Sequence, residues 1–135
     1  MMKFPTKKQI SILAKKYDLR VLILFGSHAI GKTHKESDLD LAFYSLHKID
    51  EEKFYQDTAS LFHRADIDLI NIFTTHNHIL RYRILSTGTI LYEKEKGLKN
   101  QMEWQSYFDY RDFQKYYKVR ETLLNQKIDR LVKGG

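Results

Sequence analysis

The stretch of this sequence best equipped for chemistry runs Leu24-Phe25-Gly26-Ser27, then ten residues, then Asp38-Leu39-Asp40. A glycine closing an apolar run lets the backbone turn sharply and approach a ligand with no Cβ in the way. Ser27 adds a hydroxyl and an amide, both able to donate to phosphate oxygens, and a helical turn starting there would reinforce anion binding. Asp38 and Asp40 stand two apart, so on a strand both carboxylates project from one face. Two aligned carboxylates in an apolar strand are costly unless a cation neutralises them. Magnesium suits the task, because it takes one or two carboxylates and completes its octahedron with water and substrate phosphates. A third carboxylate on a neighbouring strand would help hold a second ion. Two ions roughly 3.5–4 Å apart can activate an attacking oxygen and stabilise a leaving pyrophosphate. Asp68, between Ile67 and Leu69, is the natural candidate, with Asp66 as the competing acid. At average composition, these two doublets at one fixed spacing arise by chance in about two of a thousand such chains.

These residues need elements to hold them. Val21-Leu22-Ile23-Leu24-Phe25 is a short apolar run of strand formers and reads as a strand buried on both faces, stopping at Gly26. Residues 27–37 are polar, contain Gly31, and read as a loop with one helical turn at most. Leu39, Leu41 and Phe43 alternate with Asp38, Asp40 and Ala42, the two-residue period of a strand. A third strand is expected over residues 66–73 and a short last one over residues 89–92. Thr6 and Gln9 form a capping box before a first helix carrying Ile10, Leu13, Ala14 and Tyr17. Asp50, Glu51 and Glu52 open a second helix. A third runs from Ile79 to Thr87, with Gly88 expected as its left-handed C′ residue. Asn100 and Glu103 are expected to cap a long final helix. The alternation predicts an α/β (α+β) domain with a helical extension, residues 1–95 forming the core and 96–135 packing on it as the extension.

With 135 residues and 42% hydrophobic content the chain can close one core. No apolar run reaches the roughly 18 residues of a membrane span, and no cysteine is present for disulfides or thiolate metal sites. The expected setting is the cytoplasm, with no membrane partner. The net charge is +6, and residues 94–135 carry ten basic against six acidic groups. That balance suits ATP, RNA or an acidic protein surface without choosing among them. Nothing matches a base-reading or base-stacking motif, which argues against a nucleic-acid partner.

The segment GSHAIGKTHKESDLD resembles the Gly-Ser, ten residues, Asp-x-Asp signature of the polymerase-β-like nucleotidyltransferase superfamily. The later DLINIFTTHNHILRYRILSTGTILYE is similar to the minimal nucleotidyltransferases (MNT) in particular. The resemblance implies the nucleotidyltransferase fold, a small mixed sheet flanked by helices. It also implies an antitoxin that uses ATP and magnesium, two ions, to transfer AMP to a tyrosine of a HEPN-domain ribonuclease toxin. Carried over by position, Gly26 and Ser27 match the phosphate-binding pair, and Asp38 and Asp40 the metal-binding pair. Asp68 matches the third carboxylate. Asp68 is preferred to Asp66 because the family places this acid directly before an apolar pair, here Leu69-Ile70.

Other residues invite weaker readings. His76 and His78 lack a third ligand and read as solvated or capping residues, while His28, His34, Lys32 and Lys35 share the ten-residue loop and read as exposed residues, with contact to a nucleotide as the alternative. Arg81 and Arg83 read as surface residues of the third helix. Trp104, Tyr107, Phe108, Tyr110, Phe113, Tyr116 and Tyr117 point several ways around the last helix, so one face cannot hide them all. This crowding keeps open a partner surface, a homo-oligomer, and an antitoxin that works by binding alone. Transfer to a small molecule, as in aminoglycoside nucleotidyltransferases, is a further alternative, though the chain is short for it, since those enzymes usually carry a separate substrate-binding domain.

Overall fold

The computed structural model describes residues 4–26, 38–72, 74–75 and 77–133. Helix α1, Lys7–Lys16, starts at Thr6, whose hydroxyl accepts from the Gln9 amide while the Gln9 side chain accepts from the Thr6 N–H. Its Ile10, Leu13 and Ala14 are buried. The chain then forms β1 (Leu19–Phe25), β2 (Leu39–Ser45), α2 (Glu51–Phe62) and β3 (Ile67–Asn71). It continues through α3 (His78–Thr87), β4 (Thr89–Glu93) and α4 (Leu98–Lys133).

The sheet is mixed, in the order β3-β2-β1-β4. Strand β1 is antiparallel to both β2 and β4, whereas β2 and β3 run parallel. Side chains alternate across β1, and that alternation feeds two cores. Leu22 and Leu24 join Leu41, Phe43, Phe54 and Phe62 under α1 and α2. Val21 and Ile23 join Ala42, Ile84, Leu85 and Leu98 under α3 and α4. Phe43 and Phe54 meet edge to face at 4.9 Å, and burying each such ring contributes about 1.5–3 kcal/mol.

Three local expectations are corrected. Strand β3 covers Ile67–Asn71 rather than residues 66–73, because the chain turns after Asn71, whose carbonyl accepts from Thr74 and Thr75. Gly88 is extended (φ −71°, ψ 157°), not left-handed. It is a glycine for space: a Cβ there would lie 2.4 Å from Ile23 Cγ2 and 2.5 Å from the Ile84 carbonyl oxygen. Helix α4 begins at Leu98, so Asn100 already lies in its first turn. The free amides at its start are met instead by Glu93, whose carboxylate accepts from Gly97 N at 3.4 Å and Lys99 N at 3.2 Å.

Candidate active site

The signature residues converge where β1 ends and β2 and β3 begin. Phe25 stands opposite Asp40 in the antiparallel β1–β2 pair. Asp40 stands opposite Asp68 in the parallel β2–β3 pair, so the two carboxylates leave the same sheet face. Asp38 lies two residues before Asp40 and is exposed, just outside β2, which begins at Leu39. Gly26 follows Phe25 with φ +77°, and a Cβ there would fall 2.3 Å from Asp40 Oδ2. Glycine is thus required twice, for the left-handed backbone and for the carboxylate against it. Ser27 and the candidate loop residues His28, Lys32, His34 and Lys35 lie outside the described residues, as does His76.

The competing acid has a different environment. Asp66 accepts two hydrogen bonds from Arg64, one from Nε at 2.7 Å and one from Nη2. Its backbone carbonyl also accepts from Leu39 N at 3.0 Å, which ties the start of β2 to the segment before β3. The hydrogen bonds to Asp66 push the Arg64 guanidinium pKa above its ordinary value, and the charges of Asp66 and Asp38 add to the effect. Arg64 is therefore a fixed cation next to the carboxylate group. Nothing in the sequence reading singled it out, although Arg-Ala-Asp in an extended segment is a spacing at which two side chains share a face.

Among the described residues, no three His, Cys, Asp or Glu side chains converge tightly enough to make a metal site by themselves. Magnesium asks for less from the protein. One or two carboxylates suffice when water and substrate phosphates complete the shell, and aspartate oxygens are hard donors of the right kind. The missing Cβ at Gly26 lets the Asp40 carboxylate lie directly against the backbone turn, which puts a hard oxygen donor at the end of β1. The His78 ring packs on Phe113 with centroids 4.6 Å apart. Arg81 donates to the Thr75 carbonyl and lines a cavity of about 240 Å³ with Tyr44, Ser106 and Asp109. That cavity lies toward the other end of β2 and contains none of the signature carboxylates.

The family profile described as polymerase beta, nucleotidyltransferase matches residues 7–97. No curated protein matches the sequence. Several solved structures share the fold. A chain of a toxin–antitoxin complex with AMP-PNP superposes with a TM-score of 0.71 at 20% identity, covering 91% of this chain and 98% of its own. A chain of the complex of tri-AMPylated Shewanella oneidensis HEPN toxin with MNT antitoxin gives 0.64 at 18% identity, covering 90% and 95%. A chain of the MntA-HepT toxin–antitoxin complex gives 0.63 at 18% identity, covering 90% and 96%.

Proposed function

This chain belongs to the polymerase beta nucleotidyltransferase family, and on that premise we propose that it transfers AMP from ATP to a tyrosine of a cognate HEPN ribonuclease toxin, silencing it. The observation that carries the chemistry is the meeting of Gly26, Asp40 and Asp68 at one end of the sheet. The acceptor rests on the company kept by similar folds, which occur in toxin–antitoxin complexes, one with AMP-PNP and one with a tri-AMPylated HEPN toxin. In this reading residues 1–95 carry catalysis and residues 96–135 serve partner contact. The expected setting stays the cytoplasm, where ATP is at hand.

Asp38, Asp40 and Asp68 would hold magnesium, two ions in the full complex. Bound magnesium supplies positive charge to the triphosphate and to the pyrophosphate that leaves. The Gly26 turn lets the backbone come close to the β and γ phosphates, and Ser27 donates to their oxygens. The tyrosine oxygen attacks the α-phosphorus. Its bond to phosphorus forms as the bond to the pyrophosphate oxygen breaks, and its proton passes to the Asp68 carboxylate. Positioning and charge neutralisation supply most of the rate.

The test incubates the protein with magnesium, labelled ATP and purified toxin. Label should reach the toxin with the intact protein and fall at least a hundredfold with Asp38→Ala plus Asp40→Ala. Transfer that survives the double substitution would overturn the catalytic assignment. A second reading, neutralisation by occlusion, is favoured by one observation, the exposed aromatic and aliphatic face of α4. It gains the lead if the same double variant suppresses toxicity in cells as fully as the parent.

A further inference from the structure

Helix α4 is far longer than the body it packs on. Its 36 residues span about 54 Å, and the α4 residues that pack against α3 and the sheet, such as Leu98, Met102 and Phe113, belong to its first part. Every residue from 114 to 133 is exposed. Tyr116, Tyr117, Leu123, Leu124, Ile128 and Leu131 recur there at three- and four-residue intervals, and each is between 48 and 69% exposed. An apolar stripe of that length, exposed among the described residues, is unusual for a free surface.

The charges beside the stripe restrict what can cover it. Residues 114–133 carry six cations, Lys115, Lys118, Arg120, Lys127, Arg130 and Lys133, against Glu121 and Asp129, a net of +4. Where α4 leaves α3, a groove with Ile79 and Tyr117 in its walls is rimmed by Arg111, Lys115 and Lys118, with Glu121 as its one acid among the lining residues. Pairing this stripe with that of a second copy would set net positive charge against net positive charge. An acidic partner reverses that penalty. The match to the AMP-PNP complex covers 91% of this chain, so it reaches into the overhang, and that chain too belongs to a two-component assembly.

We propose that the overhanging half of α4, residues 114–133, is the docking helix for the toxin, and that it takes an acidic surface carrying an apolar stripe. The inference rests on the toxin-partner reading above and adds the surface and the chemistry of the contact. Apolar contact supplies the holding energy. The lysines and arginines select an acidic partner and speed its encounter. The overhang lies outside both cores, so substitutions in it leave the sheet and the carboxylate end intact.

The test measures binding of purified toxin to the full-length protein by calorimetry at low and high salt, with circular dichroism confirming the fold of each variant. Lys115→Glu with Lys118→Glu and Arg120→Glu should weaken binding by about tenfold or more at low salt and flatten its salt dependence. Leu124→Asp with Ile128→Asp should weaken it by about a hundredfold at either salt. Equal affinity for the parent and both variants would overturn the docking assignment while leaving the toxin reading in place. Failure of the unaltered chain to bind toxin at all would instead overturn that reading. A concentration-dependent dimer of the unaltered chain that Leu124→Asp with Ile128→Asp dissolves would make a second copy the occupant and refute the proposal.

Discussion

Gly26 and Gly88 show how two identical residues can be needed for unrelated reasons. At Gly26 the backbone is left-handed and Asp40 Oδ2 occupies the space of a Cβ, so Gly26→Ala meets strain and a displaced carboxylate together. At Gly88 the backbone is ordinary, and the obstacle is Ile23 and the Ile84 carbonyl. Gly26→Ala should cost about 1–2 kcal/mol in urea unfolding and reduce AMP transfer well beyond that loss. Gly88→Ala should cost about 1–3 kcal/mol by overpacking while transfer per folded molecule stays unchanged. Unfolding curves and transfer rates measured on both variants check the contrast. Sequence spacing anticipated a sharp turn at Gly26, because a glycine closes an apolar strand there, and its backbone is left-handed. It assigned Gly88 the wrong conformation, because a glycine that closes a helix looks the same whether it supplies a positive φ or merely space.

At the scale of elements, α1 and α2 are joined by a polar clamp. Asp57 on α2 accepts from Lys16 at 2.8 Å and from the Tyr17 hydroxyl. The bond from Lys16, then that from Tyr17, holds the Asp57 carboxyl below its ordinary value, while burial and the Asp57 contact raise the Tyr17 phenol. Asp18 is lowered in the same way by Lys94. A carboxylate whose folded pKa is depressed adds stability above its unfolded pKa, near 4, and that contribution is lost as pH falls through the folded value. The urea midpoint should therefore decline as pH drops from 5 to 3, and Asp57→Asn should flatten part of that decline. An unchanged slope in the variant would show that the clamp contributes nothing. The helices and strands themselves were legible from period and capping: Thr6 with Gln9, Asp50, and the doubly buried β1 all read directly. The start of α4 was not. Its cap comes from Glu93, a residue on the preceding strand, and such a pairing has no signature in local spacing.

For the whole molecule, the sheet brings together acids far apart in sequence, and a long helix leaves a basic, apolar surface uncovered. Spacing alone could pair Asp38 with Asp40. It could not set Asp40 beside Asp68, because the register of a parallel pair depends on the crossover through α2. The family resemblance filled that gap, and Asp66 is the acid that accepts hydrogen bonds from Arg64. The central claim is that this sheet end transfers a nucleotidyl group. It is tested most directly by incubating the protein and toxin with magnesium and ATP labelled at either the α or the γ phosphate. The account predicts that α label joins the toxin in step with pyrophosphate release, that γ label does not, and that Asp40→Asn with Asp68→Asn abolishes the transfer. Label from the γ phosphate on the toxin, or α label transferred equally well by the double variant, would contradict it.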